Sequence, residues 1–550
     1  MTDPLPSSTT AAPRGRWRRR VGISALFTAL TAIMTWPQPL VLATHAMPHV
    51  DVFFNLWRLR WIHRALTTYP TRLFDGNVFH PERGVLALSD AILVEGLFAF
   101  PLFLLGLPPM LVHNLTLLGA IVASGVGMYV LARHVSGSGT AGVLAGVVFA
   151  YAPYRFEHYM HMELQWTVWM PWTFWALQRT IETGTIRFGA LTGVFMALQM
   201  LSSIYYGIFL GLVVAAVGGV QLLPLRGWHL LYTLRSLAIG AVIAGSVSAA
   251  YSIPYSSASA RVGTRHTHEI RMFSARPRDY RVATPENYLY GSRFMGAPER
   301  RLFPGVLPLL LALAGLLLVR PSAAIIAYVI GLILAFELSL GLNGQLYPYL
   351  YEHVRIFHGL RAPARASILG LLCLGMLAAY GCAALRPYVT PRVRRTLTAL
   401  FTAIVLLEYW VAPLHLVAYD NKPPAVYRWL AQQPRGVVAE FPVPLAGGLP
   451  YQEALYAYMS TFHWMPLLNG YSGYYPPAYL QRLHRLESFP DARSIEQLRI
   501  AGVRYVLVHS GGYTPEERAE VVEALLFKFG LAHLGDFEDG WGHATVFSLR

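Results

Sequence analysis

With 550 residues, 55% of them hydrophobic and only 13% charged, the chain carries about half the charge of an ordinary soluble domain, in which roughly a quarter of residues are charged. Its mean hydropathy of +0.41 makes lipid the main solvent of the fold. The net charge of +15 is nearly all arginine, since lysine occurs only at Lys422 and Lys528, and much of it sits in short links between apolar runs; the positive-inside rule accounts for that placement, so nucleic acid is excluded as a partner.

Residues 1–20 are polar and include Arg14, Arg16, Arg18, Arg19 and Arg20, immediately before an apolar run at 21–43. This arrangement predicts a cytoplasmic amino terminus, and the run is longer than a signal-peptide core with no clear cleavage site after it. Hydropathy predicts spans at 22–42, 110–132, 139–153, 165–180, 187–203, 205–222, 236–254, 304–319, 322–341, 365–386 and 396–416. With these spans, each inside link is basic, carrying Arg133, Arg179 with Arg187, Arg226 with Arg235, Arg320, and Arg386 with Arg392, Arg394 and Arg395. The run 91–107 is punctuated by Pro101, Pro108 and Pro109 and reads as a helix dipping into the outer face without crossing. The expected fold class is thus an all-α polytopic membrane body of about eleven helices over 21–417, with large external loops at 43–109 and 255–303. Cys373 and Cys382 share one apolar run. Nine residues of helix separate them by about 13 Å, too far for a disulfide.

After residue 417 the composition changes to short alternating elements. The segments 436–441 and 503–509 read as strands, and Thr514, Pro515 and Glu517 form a helix start with cap, first-turn proline and capping-box acid. Residues 418–550 are therefore expected to form an extracytoplasmic α/β domain.

Four groups could carry chemistry. Asp51 heads the stretch DVFFNLWRLRWIHRAL, in which Asp51, Asn55 and Arg58 share a helical face by four- and three-residue spacing. A carboxylate at the outer surface could deprotonate an acceptor hydroxyl; the alternative is a helix cap. The stretch YAPYRFEHYMHMELQW gathers Glu157, His158, His161 and Glu163. On a helix these would stand about one turn apart, a workable acceptor-binding or metal-ligand spacing that lacks a strict motif. The segment HGLRAPARAS places Arg361 and Arg365 on the outer side, where a short loop disfavours arginine; an anion such as a phosphate would account for them, as would neutralisation by Glu352 or lipid phosphate. The loop 255–303 carries nine arginines against Glu269, Asp279, Glu286 and Glu299, and should also favour anions. Phosphate-cradling loops, dinucleotide fingerprints and nucleophile elbows are absent from the sequence.

These features together resemble the GT-C superfamily of integral membrane glycosyltransferases, and within it the YfhO-like and mannosyltransferase-like bacterial branch. The resemblance is carried by Asp51, by LFDGNVFHPERGVLALSD at 73–90, AYAPYRFEHYMHMELQW at 150–166, LRAPAR at 360–365 and LLNGYSGYYPPAY at 467–479. It implies transfer of a sugar from a polyprenyl-phosphate donor to a cell-envelope glycan, lipid or protein acceptor, on the external face of a bacterial cytoplasmic membrane. It also implies an acid in the first external loop that activates the acceptor or helps hold a divalent cation, Mg2+ or Mn2+. Asp51 matches that position as the catalytic residue, with Arg361 and Arg365 toward the donor phosphate and His158, His161 and Glu163 toward acceptor or metal. The loop reads HVDVF, with one carboxylate where the common form pairs two, so no metal ligand set is assigned. A lipid or polymer transporter and a non-catalytic envelope assembly protein are the two other classes the sequence allows.

Overall fold

The computed structural model describes residues 13–444, 451–539 and 542–549, so residues 1–12 of the basic amino-terminal segment lie outside the described residues. Apolar runs delimited by arginine, proline and glycine become helices. The body opens with α1 (Pro13–Met34), and α2 (Val50–Thr68) and α3 (Leu93–Leu104) follow within the loop 43–109. Next come α4 (Pro109–Ser136), α5 (Gly139–Tyr151), the short α6 (Pro153–Glu157) and α7 (Met162–Gln165), α8 (Trp169–Thr183), α9 (Ile186–Ser202), α10 (Ile204–Leu222) and α11 (Gly227–Val262). The body closes with α12 (Thr267–Met272), α13 (Val306–Leu318), α14 (Ala323–Ser339), α15 (Leu346–His353), α16 (Ser367–Ala384) and α17 (Pro391–Glu408). Local chemistry sets the ends: Gly137, at φ 65°, stops α4 with its N–H on the Arg133 carbonyl at 2.9 Å, and the Ser138 hydroxyl then caps α5.

Among the described residues, four segments, Pro109–Ser136, Ile204–Leu222, Gly227–Val262 and Pro363–Ala384, are long and apolar enough to cross a bilayer. Leu93–Leu104, Ile186–Ser202, Val306–Leu318 and Ala323–Ser339 are shorter apolar helices, and together these elements mark a membrane protein. The central helix is α16, enclosed by α5, α13 and α14. Between helices in lipid, close packing replaces the hydrophobic effect, and small residues permit it. A Cβ on Gly381 would sit 2.0 Å from the Leu311 carbonyl oxygen, so α13 and α16 touch backbone to backbone.

Two short strands tie the ends of the body together, β1 (His45–Ala46) pairing antiparallel with β2 (Val417–Ala418). Beyond them lie α18 (Ala425–Leu430), β3 (Val437–Phe441), α19 (Tyr451–Ser460), α20 (Pro477–Leu486), α21 (Ala492–Ile500), β4 (Val503–His509), α22 (Pro515–Glu523), β5 (Ala532–Asp539) and β6 (Gly542–Ser548). The sheet runs β3-β4-β6-β5, with β3 and β4 parallel and the remaining pairs antiparallel. Both strands expected from sequence are present, and the Thr514–Glu517 capping box closes with bonds of 2.8 and 3.2 Å.

This small sheet region shares a hydrophobic core with the loop 43–109. Trp57, Phe79, Val438, Tyr456 and Leu467 are buried in one cluster. The backbones also pair: Leu467 N–H donates to the Asn77 carbonyl at 2.7 Å, and Phe79 and His80 N–H donate to the Asn469 and Leu467 carbonyls, each at 2.9 Å. Gly470 permits the approach, because a Cβ there would lie 2.6 Å from the Phe79 ring.

Candidate active site

The amino-terminal turn of α2 presents Asp51. His49 caps the helix, its Nδ1 accepting the Asp51 backbone N–H at 3.1 Å, so the Asp51 carboxylate is not used as the cap. One of its oxygens accepts the Tyr471 hydroxyl at 2.8 Å and the other lies 3.0 Å from His161 Nε2. The carboxylate side chain is 14% exposed. Burial alone would raise its pKa; the His161 hydrogen bond and charge, His49 and the Tyr471 hydroxyl outweigh that and hold Asp51 well below the usual carboxylate range. His161 responds in the opposite sense: burial lowers it, but the hydrogen bond and charge of Asp51 raise it above its ordinary value. The result is an ionised carboxylate held between an imidazole and a phenol. His161 Nδ1 is buried with no hydrogen-bond partner.

The face expected along α2 is present and continues inward. Arg58 donates to Asn55, to the Asp90 carbonyl at 2.7 Å and to Glu163 at 2.9 Å, with its guanidinium 4.2 Å above the Phe54 ring. Asn55 donates to the Met160 carbonyl at 2.9 Å. Asp90 accepts the Ile204 N–H at 2.8 Å, and burial, then the Glu163 charge, push it up to about 6. These bonds fix α2 against the 150–166 segment, and thereby Asp51 against His161.

The 157–163 cluster is not a single ligand set. The chain leaves helical geometry between α6 and α7, so the one-turn spacing expected there does not apply. Each side chain instead takes its own partner: Glu157 pairs with Arg301 at 3.0 Å, His161 with Asp51 and Glu163 with Arg58. His158 lies 3.8 Å from Glu299, and burial pushes it down to about 3. Among the described residues no group of three or more His, Cys, Asp or Glu side chains is arranged to hold a metal ion. The donors beside Asp51 are imidazoles, and both of its oxygens already accept hydrogen bonds or ion pairs. A hard divalent cation needs several oxygen ligands, so these residues do not fit one.

Arg361 and Arg365 have different settings. Arg365 is 4% exposed and grips Glu299 with two guanidinium nitrogens, its Nε at 3.0 Å. Glu299 adopts φ 68°, a left-handed conformation that costs a non-glycine residue of order 1–3 kcal/mol. Arg361 is 33% exposed and lies 3.6 Å from Glu269, which Arg265 also approaches at 3.3 Å. Two guanidinium groups thus share one carboxylate, and this is where surplus positive charge remains; the acids facing the pair are Glu269 and Glu299, not Glu352. Arg265 further donates to the Gly473 carbonyl at 2.6 Å and stacks 3.3 Å over the Tyr474 ring. Tyr471 and His49 were not singled out from sequence, and Glu299 and Arg265 entered only as charged members of the loop 255–303. The quoted run at 467–479 was the available signal for Tyr471, which lies 420 positions from Asp51.

No family model and no curated protein matches the chain. Solved structures do. The arabinofuranosyltransferase AftD from Mycobacteria aligns over 99% of this chain and 42% of its own, at 16% identity and a TM-score of 0.62. ArnT from Cupriavidus metallidurans aligns over 98% of this chain and 99% of its own, at 12% identity and a TM-score of 0.50. The Archaeoglobus fulgidus oligosaccharyltransferase covers 89% of this chain and 69% of its own, at 11% identity and a TM-score of 0.50. This chain therefore spans less than half the length of AftD, and what it shares with all three is the fold.

Proposed function

We propose that the chain is a membrane glycosyltransferase that moves a sugar from a polyprenyl-phosphate donor to a cell-envelope acceptor on the extracytoplasmic face. The observation that carries this reading is the Asp51 carboxylate, pinned by His161 and by Tyr471 of the 467–479 segment in a fold shared with AftD. In the proposed reaction the acceptor hydroxyl oxygen attacks the anomeric carbon and forms the new glycosidic bond. Its proton passes to Asp51. The bond from the anomeric carbon to the phosphate oxygen breaks, and the polyprenyl phosphate leaves with the electron pair. Arg361 and Arg265, sharing only Glu269, supply the positive charge on which that phosphate would build. Arg365, committed to Glu299, holds the wall of the site. An acid of depressed pKa is a weak base toward a free alcohol. It becomes competent as the attacked hydroxyl turns acidic late in bond formation.

The topology that goes with this reading has about eleven crossings, a cytoplasmic segment 1–20, a body over 21–417 and an extracytoplasmic domain over 418–550, in a bacterial inner membrane. In this reading α3, interrupted by Pro101, dips into the outer face without crossing. The deciding experiment incubates purified protein with radiolabelled polyprenyl-phosphate sugars and a cell-envelope extract. Asp51→Asn should stay folded, its thermal unfolding midpoint lowered only by loss of the His161 ion pair, and lose transfer by about 100-fold or more. Full transfer by that variant removes Asp51 from the chemistry, and movement of donor across vesicles without a new glycosidic bond makes the chain a transporter.

A further inference from the structure

A second basic site lies on the same helix. The spacing Arg60, His63, Arg64 puts three side chains on one face of α2, and they line a cavity of about 440 Å³ together with Phe103, Leu107, Phe462 and Trp464. That volume falls within the range of small-ligand pockets. Arg64 is 13 residues beyond Asp51, about 20 Å along the axis, so this cavity is separate from the carboxylate site.

Its composition is unbalanced. Among the described residues no acidic side chain lines it. Arg64 Nε donates to the Tyr69 hydroxyl at 3.0 Å, Arg60 bonds the Tyr458 hydroxyl, and His63 Nε2 is buried without a partner. The guanidinium groups are held instead by aromatic faces: Arg60 lies 4.6 Å from the Phe462 centroid, and Arg64 lies 4.7 Å from that of Trp464. Trp464 is kept there by a left-handed backbone, φ 56°. Aromatic contacts orient an arginine without neutralising it, leaving its in-plane donors for an anion. One wall is the α3–α4 link, and Leu104 and Leu105 beside it are 62% and 75% exposed, an apolar ledge suited to acyl chains.

We infer that the Arg60–His63–Arg64 cavity binds the phosphate headgroup of a membrane lipid whose chains lie along α3. Recognition rests on guanidinium donors to a phosphate monoester, with the aromatic wall setting their direction. The inference is independent of catalysis at Asp51.

Binding of dioctanoyl phosphatidic acid to the detergent-purified full chain is measured by isothermal titration calorimetry, with dioctanoylglycerol and inorganic phosphate as separate titrants. Phosphatidic acid should bind, and the Arg60→Gln/Arg64→Gln double variant should weaken it by about tenfold or more. Asp51→Asn should leave that affinity unchanged, and Arg361→Gln, at the proposed donor-phosphate site, should leave unchanged the binding component that the double variant weakens. Where the double variant loses its thermal transition, Arg64→Gln and Trp464→Leu are measured alone, each expected to weaken binding. Equal affinity in all folded cavity variants overturns the inference, as does loss of that component through Arg361→Gln. Inorganic phosphate binding as tightly as the lipid overturns the lipid assignment, and dioctanoylglycerol doing so overturns the role of phosphate.

Discussion

At the scale of single residues, the Asp51–His161 pair makes stability and pH inseparable. Asp51 lies below its ordinary value of 3.8, so its contribution is present above that pH and is lost as pH falls toward the depressed value. His161 lies above 6.5, so its contribution is full below that pH and is lost as pH rises through the raised value. Mutual stabilisation is therefore greatest between these limits. The thermal midpoint should decline on the alkaline side, and His161→Gln should flatten that decline; a wild-type profile retained in the variant removes the pair as its source. Tyr471→Phe deletes one hydrogen bond to a charged acceptor, a contribution of about 1.5–3 kcal/mol. The Asp51 pKa should rise in that variant, read as a shift of the acidic limb of transfer activity. Asp51 and the Asn55–Arg58 face were legible because helical spacing shows them. Tyr471 was not, since no local periodicity relates residues so far apart along the chain.

At the scale of elements, apolar runs were the dependable signal. The expected spans 139–153, 205–222 and 322–341 correspond to α5, α10 and α14 within about two residues, because proline, glycine and capping hydroxyls end both the run and the helix. The 157–163 cluster was harder to read. Pro153 ends α5 and opens the five-residue α6, and the linker to α7 sends four polar side chains to four partners. The loop behind Tyr471 depends on a comparable arrangement: buried Glu453, on α19, accepts Asn469 at 2.9 Å, the Gly470 N–H at 2.7 Å and the Tyr479 hydroxyl at 2.7 Å. Glu453→Ala leaves buried donors unmatched, each costing about 1–3 kcal/mol. Hydrogen exchange should rise across 467–479, and transfer should fall although Asp51 is intact. Unchanged exchange there would show that Glu453 does not position Tyr471. In the body, a Cβ on Gly193 would fall 2.1 Å from the Gly240 carbonyl oxygen, so Gly193→Val should separate α9 from α11 and lower the thermal midpoint.

At the scale of the whole molecule, the change in composition after residue 417 correctly signals a sheet-containing region, but composition does not tell what that region rests on. The β1–β2 pair and the Trp57–Phe79–Leu467 core join it to the loop that carries α2, so the carboxylate and the phenol that binds it belong to opposite sides of one packed interface. Phe79 is fully buried in that interface, and large-to-small replacement of such a ring costs about 3–5 kcal/mol through lost burial and the cavity left behind. Phe79→Ala tests whether the interface acts as one unit. Hydrogen exchange should increase together in 73–90 and 467–479, with α16 unaffected because its contacts lie in a different core. Transfer should fall with the same concentration of protein inserted, since Tyr471 would no longer be delivered to Asp51. Exchange confined to 73–90, with 467–479 still protected, would mean that the carboxyl-terminal region holds its shape alone and that the loop merely leans on it.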